Sequence, residues 1–453
     1  MATTILDSTV YGSLWASSTL APLFEEAART RGWLEILAVL AEVQGEHQLI
    51  PASAARCIAL ACREIEVDGG FLEELRRGRE VSGHSTAGLL RAVATRCPAE
   101  AGEWVHYGAT VQDVTDTWLM RTLAVARRFF AEQLLAIDAS LSQQAARHRD
   151  TLMLGRTHGQ PGCPITFGFK AAGWVAEVRR HRTRLTELRP RLEVGQLAGG
   201  VGNLSALGPR GLAVQATFCA RLGLAAPAFT WTASRDVLAE WGSLLTLICG
   251  TADRIGHEIY NLQRSEIGEL SEAPAAGVIG SITMPHKRNP ESCEQLGSLS
   301  RVVRHLAACL TEGLVHDHER DGRSWKVEWH VVPELTLLAG RAVELLSALS
   351  RSLLVDPARM LQNLEATGGM VLSEALMLAL AARTGRESAH RLVFELAGQA
   401  REGGLSLFQA ARASAEISAR LSDAELCELF DYRRHTGLCG ALVDRLLAAK
   451  EPS

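Results

Sequence analysis

No long run of like charge, no CxxC pair and no stretch of about eighteen uninterrupted apolar residues occurs in this chain of 453 residues. Each absence closes off a class. With 51 acids against 47 bases and a net charge of −4, the balance is wrong for a nucleic-acid footprint. The ten cysteines, Cys57, Cys62, Cys97, Cys163, Cys219, Cys249, Cys293, Cys309, Cys427 and Cys439, show no repeated spacing. They read as reduced, mostly buried thiols. The N-terminus, MATTILDSTVYG, lacks a basic n-region and an apolar h-region, so cytoplasm is the expected compartment and no membrane partner is expected. Strand alternation, low-complexity tracts and short-period repeats are missing as well. The expected fold is therefore all-α.

What is present is enough apolar residue, 47%, to build a large interior, in a chain too long for one typical core. Residues 1–110 read as an irregular helical domain, 111–365 as a central bundle of five long helices, and 366–453 as a small C-terminal helical domain after the Gly368–Gly369 break. The plainest seam is Leu238, Trp241, Leu245, Ile248, Ala252, Ile255, Ile259 and Leu262. Its alternating three- and four-residue steps predict a helix of roughly 37 Å whose neighbours pack nearly parallel to it. Similar seams run through Leu119, Leu123, Ala126, Phe130, Leu134, Ile137 and Leu141, and through Leu335, Leu338, Ala342, Leu345 and Leu349. Seams of that length suggest packing between subunits.

Chemistry concentrates in GSITMPHKRNPESCE, from Gly280 to Glu294. The small residues and two glycines of Ala273 to Gly280 predict a hinged, mobile catalytic loop over 273–290. Ser281 can exchange a proton, Lys287 can neutralise a carboxylate, and Asn289 can supply amide donors. Past Pro290 the pattern turns helical, which puts Glu294 in a first turn, where negative charge is favoured.

This stretch resembles the signature of the aspartase/fumarase superfamily, GSSxMPxKxNP, at Gly280, Ser281, Met284, Pro285, Lys287, Asn289 and Pro290. The second serine of the signature is Ile282 here. The resemblance implies that Ser281 is the catalytic base and that Glu294, thirteen residues on, pairs with a catalytic histidine. It also implies a homotetramer whose active site is shared among three subunits, with no cofactor.

Two further stretches precede long helices. HYGATVQD, His106 to Asp113, reads on its own as a capped helix start with Thr110 near the cap. It resembles the HxGxTSxD region of adenylosuccinate lyases and 3-carboxymuconate cycloisomerases, which implies carboxylate binding by Thr110 and His106; the serine is replaced by Val111. GRTHGQP, Gly155 to Pro161, matches the adenylosuccinate lyase pattern, which implies His158 as the general acid flanked by Thr157 and Gln160. Paired with Glu294, His158 is held in one tautomer and its protonated form is favoured. His84 in SGHST and Arg235 in ASRDVLAEW align loosely with substrate-side residues of the same family. His316 and His318 form an HxH with no further assembled ligands, a poor metal site.

The implied reaction is anti β-elimination from a 2-substituted succinate. Ser281 takes a proton beside one carboxylate, Lys287, Asn289 and Thr110 neutralise the resulting dianion, and His158 protonates the leaving atom. Fumarate and a small amine or other nucleophile such as nitrite follow. The element from His318 to Leu335, HERDGRSWKVEWHVVPEL, looks more like the cycloisomerase branch, which keeps lactonisation as an alternative beside adenylosuccinate cleavage and a catalytically silent structural tetramer. Trp325 and Trp329 stand where adenylosuccinate lyases carry SSxER, and they favour a compact leaving group over a phosphorylated nucleoside.

Overall fold

The computed structural model describes residues 4–274, 277 and 280–449. Its helices of seven or more residues are α1 (Glu26–Glu46), α2 (Ala52–Glu64), α3 (Gly69–Ser82), α4 (Ala87–Thr95), α5 (Val111–Arg147), α6 (Phe167–Leu192), α7 (Gly211–Arg221), α8 (Asp236–Gln263), α9 (Glu291–Glu312), α10 (Gly322–Ser352), α11 (Pro357–Glu365), α12 (Ser373–Thr384), α13 (Arg386–Glu402), α14 (Leu407–Ala413), α15 (Asp423–Leu429) and α16 (Cys439–Ala448). Strands are few: a hairpin of β1 (Leu152–Thr157) and β2 (Gln160–Thr166), and a two-residue antiparallel pair of β3 (Leu270–Ser271) and β4 (Leu354–Val355). The fold is all-α. None of these helices taken singly is long and apolar enough to cross a membrane.

Residue contacts divide the chain into two units, and the division cuts each of the five long helices α5, α6, α8, α9 and α10. The first unit comprises Met1–Gln133, His181–Gly250 and Ser298–Glu344. Here α1 packs on α2, and Leu119, Leu123, Ala126 and Phe130 of α5 are buried with Leu238, Trp241, Leu245 and Ile248 of α8. Trp241 meets Phe130 edge-on at 5.7 Å. Its indole N–H donates to the Thr336 hydroxyl at 3.0 Å, so this buried ring carries no orphan donor.

The second unit comprises Leu134–Arg180, Thr251–Gly297 and Leu345–Ser453. The seams continue in it through Leu134, Ile137 and Leu141, and through Ala252, Ile255, Ile259 and Leu262, all buried. A separate core built on Leu376, Leu380, Val393, Leu396, Leu407 and Leu426 closes the C-terminal helices on one another. A smaller one joins Leu154 of β1 to Leu364, Val371 and Leu372.

Two expectations change. Every position of the α5 and α8 seams is buried within this one chain, so seam length does not by itself call for a second subunit. In α10 the seam leaves Leu345, which is half-buried, for Leu346, which is buried. Adjacent leucines give periodicity no means of choosing between them.

Candidate active site

In the first unit, Thr110 sits at the N-terminal end of α5. Its N–H donates to Asp113 Oδ2 at 2.8 Å, the reciprocal half of a capping box. The same carboxylate accepts from Ala198 N–H at 2.9 Å and Gly199 N–H at 3.0 Å, which folds the 195–203 loop onto the helix start. Asp113 is almost fully buried. Burial pushes its carboxyl up to about 7, although the three backbone donors pull the other way. The Thr110 hydroxyl is left to accept from Arg320 Nη1 at 2.8 Å. Arg320 also reaches the Gly199 carbonyl at 3.4 Å, and its Nε is buried with no hydrogen-bond partner among the described residues.

His106 stands four residues before Thr110 in the left-handed region, φ 63°, a conformation that histidine tolerates better than most residues. Burial lowers its pKa and the nearby His84 lowers it further, against a contact with the Thr110 backbone that raises it. The ring is thus neutral near pH 7, a donor or acceptor rather than a cation. His84 itself is exposed. Its Nδ1 accepts from the Thr86 N–H at 3.4 Å.

Arg235 is 2% exposed, and its donors are taken. Nη1 reaches Asp116 Oδ2 at 2.7 Å and Nε reaches Glu328 Oε1 at 2.8 Å, while its guanidinium carbon lies 5.0 Å from the centre of the Trp231 ring. The partners shift in ways that do not cancel. Burial raises the Glu328 carboxyl despite Arg235, whereas Arg235, lowered by burial, is held above its ordinary value by the two carboxylates. Two acids flank one base, and the guanidinium is charged. Arg235 is an internal tie between α5 and α10. Beside it, Trp325, Trp329, Trp33, Trp118 and Phe24 form a chain of ring contacts between 5.2 and 6.4 Å. They enclose a cavity of about 30 Å³ whose wall includes Asp116 and Glu328.

In the second unit, His158 does not stand at a helix start. It occupies, with Gly159, the two-residue turn between β1 and β2, flanked by the pair Thr157↔Gln160. His158 has φ 52° and Gly159 has φ 72°, the two positive angles a type I′ hairpin turn needs. Thr157, His158 and Gln160 are all exposed at this tip. A bulge between Leu154 and Arg156 centres on Gly155, where a Cβ would come within 2.5 Å of the Cys163 carbonyl oxygen. Only glycine fits that approach. The long helix α6 begins directly after β2.

The hinge expected over 273–280 falls partly on Ala275, Ala276, Val278 and Ile279, which lie outside the described residues. From Gly280 onward the chain doubles back, so that a Cβ on Gly280 would meet the Lys287 carbonyl oxygen at 2.7 Å. That return places Ser281 and Lys287 on neighbouring passes of the chain. Ser281 is half-buried, with its Oγ accepting from the Met284 N–H at 3.1 Å, while Lys287 is exposed. Asn289 donates to Glu291 Oε1 at 3.3 Å. Glu294 lies in the first turn of α9, as its spacing from Pro290 predicts. Ile282, in place of the second serine, is 94% exposed.

The sequence reading does not single out Arg320, although HERD placed it immediately before a long helix. Nor does it single out Glu269, Glu272 and Gln263, whose contacts span the chain at separations no local pattern reveals. His316, half-buried, has both ring nitrogens without hydrogen-bond partners among the described residues. Among the described residues, no group of three or more His, Cys, Asp or Glu side chains could hold a metal ion.

A lyase family model matches residues 15–304, and a model of the adenylosuccinate lyase C-terminus matches 369–446. An N-acetyl-S-(2-succino)cysteine lyase of Enterococcus italicus is 36% identical, over 99% of this chain and 98% of its own. A 3-carboxy-cis,cis-muconate cycloisomerase of Pseudomonas aeruginosa is 37% identical, over 97% of this chain and 96% of its own. Among solved structures, a fumarate lyase from Mesorhizobium sp. BNC1 superposes with a TM-score of 0.89 at 33% identity, covering 96% of this chain and 98% of that one. With the signature at Gly280 to Pro290 and relatives of this coverage, the chain belongs to the aspartase/fumarase superfamily of lyases, in the branch of adenylosuccinate lyases and 3-carboxy-cis,cis-muconate cycloisomerases.

Proposed function

We propose that the protein catalyses anti β-elimination of a 2-substituted succinate, releasing fumarate and a compact nucleophile. The observation that supports this reading is the turn-back at Gly280, where a Cβ would meet the Lys287 carbonyl oxygen at 2.7 Å, so that the residue before Ser281 packs against the Lys287 backbone. A base next to an ammonium suits removal of a proton from a carbon whose developing negative charge spreads into the adjacent carboxylate. Ser281 takes that proton. Lys287 and Asn289 neutralise the dianion, and His158, exposed on its hairpin tip, protonates the departing atom at the other carbon with Glu294 as its partner. Thr110, Arg320 and neutral His106 bind the remaining carboxylate, and Arg320 brings an Nε with no hydrogen-bond partner among the described residues. The reaction needs no cofactor or metal.

The leaving group is small. The indoles of Trp325 and Trp329 pack in a row with Trp33 and Trp118, an apolar wall that suits a compact leaving group better than a phosphorylated nucleoside. A succinyl thioether, as in the name of the Enterococcus relative, heads the candidates, followed by N-substituted succinates and nitrosuccinate. The sharing of active sites among subunits of a homotetramer is part of this reading. Leu135 of α5 and Leu247 of α8, about half exposed on the long helices, are available for such packing. Cytoplasmic location belongs to the same reading.

The test is to add purified protein to fumarate with a panel of thiols, amines, hydrazine and nitrite, and to follow loss of the conjugated double bond's ultraviolet absorbance. Loss with a compact nucleophile supports the elimination chemistry. No loss with any of them, together with turnover of 3-carboxymuconate, transfers the assignment to lactonisation, which the HERDGRSWKVEW element and the cycloisomerase relatives favour.

A further inference from the structure

The segment 263–272, between α8 and the catalytic loop, holds three separate pieces of the second unit. Glu269, fully buried, accepts from Arg156 Nη1 and Nη2 at 2.9 and 2.6 Å and from Asn363 Nδ2 at 2.8 Å. Arg156 stands two residues before His158, so this bond anchors the hairpin close to its turn. Gln263 touches both stems of the loop. Its Oε1 accepts from the Glu272 N–H at 2.9 Å, and its Nε2 donates to the Arg288 carbonyl at 3.4 Å.

Glu272 completes the arrangement. Its carboxylate accepts from the Ser292 N–H at 3.1 Å and the Cys293 N–H at 2.9 Å. These are orphan donors of the first turn of α9, and the residue that precedes the helix, Pro290 with no side-chain acceptor, leaves them unserved. A carboxylate from twenty residues upstream therefore supplies the cap and complements the helix dipole. Cys293 is buried, and burial together with Glu272 keeps its thiol protonated.

We propose that Glu272 is a positioning residue for the elimination. Through the Ser292 and Cys293 amides it sets the first turn of α9, on which Glu294 stands. Gln263, bonded to the Glu272 N–H and the Arg288 carbonyl, ties the same stem to the one that follows Ser281 and Lys287. The catalytic part of this inference rests on the elimination reading; the structural part does not.

The test compares Glu272→Ala and Glu272→Gln in the full chain by amide hydrogen exchange and by steady-state kinetics. Glu272→Ala is expected to speed exchange at Ser292 and Cys293 about tenfold or more while the C-terminal core around Leu376 and Leu396 exchanges as before. It is expected to lower kcat about tenfold with KM changed less than about threefold, since misplaced catalytic groups cost turnover rather than binding. Glu272→Gln retains one acceptor oxygen and restores part of both. Unchanged exchange at the two amides, or kcat within about twofold of wild type, overturns the proposal. Should Glu272→Ala fail to fold, Glu272→Gln carries the test alone, with faster exchange at the Ser292 and Cys293 amides and a lowered kcat expected and no change in either overturning the proposal. If the wild-type protein releases no fumarate, the elimination reading falls, and the exchange data alone decide whether Glu272 holds the helix start.

Discussion

Arg320 Nη1 donates to the Thr110 hydroxyl at 2.8 Å, joining two residues 210 apart in the chain at the N-terminal end of α5. The contact gives Thr110 a cationic neighbour that HYGATVQD alone does not disclose. It also makes up in part for the donor lost at Val111, because a guanidinium offers several N–H groups where a serine would offer one.

Arg320→Lys keeps the charge and loses the planar fork. KM for the succinate substrate is expected to rise about tenfold with kcat nearly unchanged. Equal KM values for the two proteins in steady-state assays would remove Arg320 from the binding site.

Arg235→Met leaves Asp116 and Glu328 buried without their cation. The expected cost is about 3 to 5 kcal/mol of folding stability, measured by denaturant or thermal unfolding. A variant that melts with wild type but binds substrate poorly would show that Arg235 serves the ligand instead.

Asp113 carries a pH dependence with a definite sign. Its folded carboxyl titrates near 7, above the ordinary value of 3.8, so its contribution to stability is full below about pH 4 and is lost as pH rises through about 7. Asp113→Asn removes that loss along with part of the cap. The variant is expected to melt below wild type at pH 4, with the deficit shrinking toward pH 8. A melting difference independent of pH would mean that Asp113 is ionised throughout.

Gly280→Ala puts a methyl against the Lys287 carbonyl oxygen, 2.7 Å from the position its Cβ would take. The loop must shift while the cores stay as they are. Turnover is expected to fall about a hundredfold with the melting temperature within a degree or two of wild type. A fully active alanine variant would show that the turn-back does not position Ser281.

How legible these features were depended on the range of the interactions involved. The α5 and α8 seams were readable because burial repeats along a helix at steps of three and four, and every expected position is buried. The His158 hairpin was not, because GRTHGQPGCPIT breaks strand alternation with glycine and proline; its one local sign was the His158–Gly159 pair, suited to positive φ. Arg235 read as a substrate residue because a lone arginine in a motif does not reveal its acids, here 119 and 93 positions away. The Glu272 cap escaped for the same reason. A capping residue is sought next to its helix, and this one acts from across a loop.

The central claim is that Ser281 starts an elimination that yields fumarate from a compact 2-substituted succinate. The most direct measurement is fumarate release from N-acetyl-S-(2-succino)cysteine and from adenylosuccinate, by wild type and by Ser281→Ala. The account predicts fumarate from the thioether with wild type, none from adenylosuccinate, and a loss of at least about a thousandfold in kcat for Ser281→Ala with substrate still bound. Efficient release of AMP from adenylosuccinate, or a Ser281→Ala variant retaining more than about a tenth of wild-type kcat, would contradict it.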